Sequence, residues 1–81
     1  MKTRTDKELK DFTKLINAHS FNYAVGKRYD DALLMDKSLK KFTALSQLLN
    51  SEGYYVERAG KDHLDNFGIT YSTYEVRESD L

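Results

Sequence analysis

Cysteine, proline and tryptophan are absent from these 81 residues, glycine occurs only four times and histidine twice, and the formal charge sums to zero. Without cysteine there is no disulfide framework, no thiolate metal ligand and no cysteine nucleophile. No proline, Gly/Ser-rich tract or repeat marks an internal boundary, so residues 1–81 are expected to form a single domain around one core. Thirteen Lys and Arg offset thirteen Asp and Glu, so the chain as a whole carries no excess charge to draw it to a polyanion. No apolar run approaches the roughly 18 residues that cross a bilayer, and Met1-Lys2-Thr3-Arg4-Thr5-Asp6 lacks the apolar stretch of a secretory signal. A cytoplasmic protein without membrane contact is expected. What the chain does have is 40% hydrophobic and 12% aromatic residues, enough to fold rather than stay disordered.

Thr5-Asp6-Lys7-Glu8 has the pattern of a capping box, in which hydroxyl and carboxylate satisfy first-turn amides, and so opens a helix. Leu9, Phe12, Leu15, Ile16 and His19 then fall within about 120° of each other on a helical wheel, which predicts a helix over 5–19. Phe21, Tyr23 and Val25 alternate with smaller or polar residues up to Gly26, the period-2 pattern of a short strand at 21–25. Residues 29–35 suit either a short helix or a second extended segment, and a helical turn is the expectation, with Asp30-Asp31 as a helix-start signal. A second long helix is predicted over 37–51, capped by Asp36 or Ser38 and closed by Gly53 in a left-handed conformation. Its inward stripe is Leu39, Phe42, Leu45 and Leu49. Residues 54–59 and 69–77 read as an antiparallel hairpin, and the change of parity between Phe67/Ile69/Tyr71 and Tyr74/Val76 needs two covered faces or, as expected here, a bulge in the last strand near Ser72–Thr73. The fold class expected is α+β, two main amphipathic helices on a small antiparallel sheet made of the hairpin 54–77 and the short strand 21–25.

The chemistry of catalysis has little to work with. His19 lies on an apolar helix stripe, where a boundary imidazole with one satisfied nitrogen is the simpler reading. His63, in Lys61-Asp62-His63-Leu64-Asp65-Asn66, reads as part of a polar turn that offers too few ligands for zinc or calcium. No nucleophile elbow, phosphate loop, dinucleotide fingerprint or His-Glu-x-x-His helix is present. No enzyme, metal or cofactor is expected, and a binding function follows by elimination.

The line Lys37, Lys41, Ala44 and Leu48, with Lys40 and Gln47 beside it, keeps to one helix face that is basic in its first turns and apolar at its end. Tyr23, Tyr29, Tyr54, Tyr55, Tyr71 and Tyr74 supply amphipathic rings of the kind that interfaces favour. These features predict a small non-catalytic protein-binding module, a regulator or a phage- or mobile-element-type accessory or inhibitor protein. The partner surface would be Lys37, Lys40, Lys41, Ala44, Gln47, Leu48, Tyr54 and Arg58.

A second reading rests on a resemblance. Ala32, Met35, Ser38, Phe42, Leu45, Leu49, Gly53, Val56 and Arg58 are spaced much as in bacterial winged-helix regulators of the MarR-like kind, and the chain resembles that family over about residues 29–77. Asp31 and Lys37 stand where that family has apolar residues, and its customary glycine between the two helices is missing. The resemblance implies a winged helix-turn-helix DNA-binding regulator, with Lys37, Lys40, Lys41, Thr43 and Gln47 facing the groove and Arg58 and Lys61 on a wing. Charge distribution weighs against it: residues 1–51 hold ten basic and six acidic residues, a balance of +4, whereas residues 52–81 hold three and seven, a balance of −4. The wing would be acidic, contrary to what phosphate contacts need. A homodimer would bring two basic halves onto one face. Protein binding is therefore the leading expectation and nucleic acid the alternative.

Overall fold

The structure, a computed structural model, describes residues 4–79. Thr5 starts the first element as its sequence context dictates: the Glu8 amide donates to the Thr5 hydroxyl at 3.1 Å and the Thr5 amide to the Glu8 carboxylate at 2.9 Å. The helix it opens, α1 (Asp6–Arg28), is 23 residues long and runs through the segment expected to be a strand. Residues 21–25 are helical because nothing between His19 and Gly26 breaks the ladder, and each added residue extends an already nucleated helix by one hydrogen bond. Gly26 ends no strand. It lies buried within α1, where a Cβ would come within 3.0 Å of both Asp31 O and Met35 N, so the missing side chain lets the next helix approach.

Reversal takes three residues, Tyr29–Asp31, with Asp30 in the left-handed region at φ 56. Asp31 then caps α2 (Ala32–Ser51), its carboxylate accepting from the Leu34 amide at 3.1 Å. The acidic pair is the helix-start signal expected, but the cap lies five residues before Asp36. One continuous helix replaces the helical turn and the separate helix 37–51. Asp36 instead pairs with Lys40 at 3.0 Å, and Ser38 is buried. Gly53 follows the α2 cap at φ 90, as expected of a helix-ending glycine. This continuity also removes the turn between two helices that the winged-helix resemblance implies at 35–37.

The two helices form an antiparallel hairpin, stapled at its open end by Arg4, whose guanidinium donates twice to the Glu52 carboxylate at 2.7 Å. Strands β1 (Tyr54–Arg58) and β4 (Tyr74–Glu78) pair antiparallel, with Val56 opposite Val76. Between them β2 (His63–Leu64) and β3 (Thr70–Tyr71) form a smaller hairpin in what was expected to be a polar turn. Pairing is interrupted between β3 and β4 at Ser72–Thr73, but the last strand has no extra residue there, contrary to the expected bulge. The extra residues lie on the opposite strand at 60–62, and the Ser72 hydroxyl donates to Asp62 at 2.7 Å across the gap.

The core sits where α1, α2 and β1 meet: Ile16, Leu49 and Tyr54, packed by Phe12, Phe42, Leu45 and Val76 among others. Leu15 and Leu39, expected on the buried stripes, lie on the flanks of their helices and are about half exposed.

Candidate functional site

The inward residues of α2, Ser38 and Leu49 buried and Phe42 and Leu45 partly buried, fall close together on a helical wheel and fix which side of the helix faces away. Leu33, Lys37, Lys40, Lys41, Ala44, Gln47 and Leu48 lie within about 120° of one another on that wheel, centred about 130° from the inward stripe. All seven are exposed. From Leu33 to Leu48 the face runs about 22 Å along the helix axis.

The two ends are apolar: Leu33 is 84% exposed and Leu48 41%. Burying a leucine is worth roughly 1.5–3 kcal/mol, so two left open on one face mark lost stabilisation that a partner could recover. The middle is cationic. Lys40 pairs with Asp36 in a side-chain contact exposed to solvent, worth a few tenths of a kcal/mol at most. Lys37 and Lys41 make no ion pair among the described residues. Leu33 was missed in the sequence because the helix was started too late; extending the line back from Lys37 by four residues reaches it.

Two residues expected on the partner surface belong elsewhere. Tyr54 is 2% exposed and lies in the core, with its hydroxyl accepting from the Arg4 amide at 3.1 Å; a strand tyrosine next to a helix end fills the space between layers. Arg58 is exposed but on β1, and its guanidinium is engaged by Asp62, the main cause of its raised pKa. Of the remaining tyrosines, Tyr29 and Tyr55 are exposed and Tyr23, Tyr71 and Tyr74 half-buried.

His19 is half-buried on α1, and burial, with a smaller contribution from Lys41, holds its imidazole below the usual range. His63 stacks on Tyr71 with centroids 5.2 Å apart, which gives it a packing role in β2. The outer face of the β1–β4 pair sets Glu57 opposite Glu75, and Arg77 donates to both, so this acidic stretch is largely satisfied from within. Among the described residues no helix is long and apolar enough to cross a membrane. Compared with known proteins, the chain matches no family model, no curated protein and no solved structure.

Proposed function

We propose that this chain is a small non-catalytic protein-binding module, a regulator or an accessory or inhibitor protein, which engages its partner through the outward face of α2. The observation that carries the reading is the exposed line Leu33, Lys37, Lys41, Ala44 and Leu48, with leucines at its ends and, between them, lysines that make no ion pair among the described residues. A face meant only for water does not need Leu33. A partner suited to it places acidic side chains against the lysines and apolar ones against the leucines, since opposite charge steers the encounter and apolar burial holds the complex. A cytoplasmic setting belongs to the same proposal and fits the cysteine-free composition.

The second reading, a DNA-binding regulator, draws on the grouping of Lys37, Lys40 and Lys41 within two turns of one helix. It is the weaker of the two, because residues 32–51 form one helix without the break that the winged-helix resemblance implies, and the leucines have no role against phosphate. Capture from native lysate by the tagged full chain, with and without nuclease, separates the readings when repeated with Lys40→Glu/Lys41→Glu and Leu33→Ser/Leu48→Ser. Protein binding requires a partner that survives nuclease and is lost with both double variants. A partner lost on nuclease treatment and insensitive to the leucine changes would establish the DNA reading. Retention unaffected by either pair would reject the face.

A further inference from the structure

Away from α2's outer face, the last two turns of α1 and the β2–β3 hairpin enclose a cleft of about 380 Å³. Its lining includes Tyr23, Lys27 and Arg28 from the helix and Thr70, Tyr71 and Ser72 from the hairpin side. Lys27 and Arg28 have no carboxylate partner among the described residues, and the hydroxyls of Tyr23, Thr70 and Tyr71 make no hydrogen bond there. These five donors border one cleft without a protein partner among the described residues, which leaves them open to a ligand that enters it.

Basic residues in a last helical turn often serve to balance the carbonyl end of the helix dipole. That role accounts for the sign of Lys27 and Arg28 but not for the phenols and the threonine that line the cleft with them. Nor does it account for how Arg28 is held. Its guanidinium lies 5.6 Å from the Tyr29 ring centroid, and its Nε would be 3.4 Å from a Cβ on Gly68. The opposite wall is set before any ligand arrives, because Tyr71 meets Phe21 edge-on at 5.0 Å and stacks on His63. Asp62 also borders the cleft, but its carboxylate is tied to Ser72 and Arg58, which leaves the two cations as the unbalanced charge. Two positive charges and aromatic walls match a dianionic phosphate attached to a flat ring.

We propose that the cleft between the C-terminal turns of α1 and the β2–β3 hairpin binds a small aromatic phosphate monoester, its phosphate on Lys27, Arg28 and the Tyr23 hydroxyl and its ring against Tyr71. The site is independent of the α2 face. Amide chemical-shift mapping of the ¹⁵N-labelled full chain tests it with three probes: phenyl phosphate, inorganic phosphate and phenol. Phenyl phosphate is expected to give saturable shifts confined to residues 20–28 and 68–74, with a dissociation constant of about 1 mM or below. Inorganic phosphate should bind about tenfold more weakly and phenol should not saturate, because each supplies half of the recognition. Lys27→Ala should weaken phenyl phosphate about tenfold, and Tyr23→Phe several-fold with an unchanged melting temperature. No saturation by about 10 mM phenyl phosphate, shifts spread along Lys37–Lys41, or affinity unaltered by Tyr23→Phe would overturn the proposal.

Discussion

Gly26 is the residue on which the helical hairpin turns. Glycine inside a helix costs about 1 kcal/mol relative to alanine, so its presence in α1 has to be justified by contact. A Cβ there would meet Met35 Cγ at 2.8 Å, which a side chain could relieve, and the backbone atoms Met35 N and Asp31 O at 3.0 Å, which it could not. Gly26→Ala is therefore expected to destabilise by about 1–2 kcal/mol despite its better helix propensity, a fall of several degrees in melting temperature. A rise in melting temperature would mean that the helices have room to spare. The sequence pointed to the wrong use of this residue, because a glycine after alternating aromatics is equally a strand end, and only the position of Met35 distinguishes the two.

Among the elements, β4 shows how the sheet is fastened to the helices. The Ala59 amide donates to Thr73 O and the Ser79 amide to Gly53 O, so the register turns Tyr74's backbone groups away from β1. Asn17 on α1 takes up both: its amide donates to Tyr74 O at 3.0 Å and its carbonyl accepts from Tyr74 N at 2.7 Å. One side chain thus serves as the neighbouring strand that β4 lacks on that edge. Asn17→Ala is expected to cost about 2 kcal/mol in chemical unfolding, and Asn17→Asp a comparable amount, since a carboxylate accepts from the amide but opposes the carbonyl. Equal stability of wild type and both variants would show that the edge needs no such partner. The start of α1, the acidic start signal at Asp30-Asp31, the closing glycine and the main hairpin were legible in the sequence because capping residues and alternation act locally. The length of α1 and the single α2 were not, since Phe21, Tyr23 and Val25 suit either period and the choice is made by packing against α2 and the sheet. For the candidate surface, the lysine line was legible from spacing alone. Tyr54 was misplaced on that surface, because its burial depends on the Arg4 and Leu49 ends of two distant elements meeting β1.

For the whole molecule, the ionic contacts that close the hairpin and the sheet set its response to acid. Hydrogen bonds from Arg4 hold the Glu52 carboxyl below the usual range, those from the Thr5 amide and hydroxyl hold Glu8 down, and those from Ser72 and then Arg58 hold Asp62 down. Each folded value lies below its unfolded one, so the stabilisation is present at neutral pH and fades as pH falls from about 4 through the folded values. His19 has the same sign through burial and titrates earlier: its contribution fades as pH drops below about 6.5. Denaturation midpoints measured against pH should decline in these two stages, and His19→Gln should remove the first alone. A midpoint flat from neutral pH to about pH 3 would be incompatible with the contacts described.

Away from the packed side of this hairpin, α2 leaves its lysines and two leucines to the outside over most of its length, and Ala44 stands near the middle of that face. The most direct measurement places a photoreactive amino acid at Ala44, and in a second version at Asn22 on the exposed side of α1, and irradiates each in nuclease-treated native lysate. A discrete protein adduct from position 44 and none from position 22, with the adduct lost in the Leu33→Ser/Leu48→Ser background, is the expected result. An adduct from position 22 with none from position 44, or one that survives loss of both leucines, would contradict the assignment of α2 as the binding face.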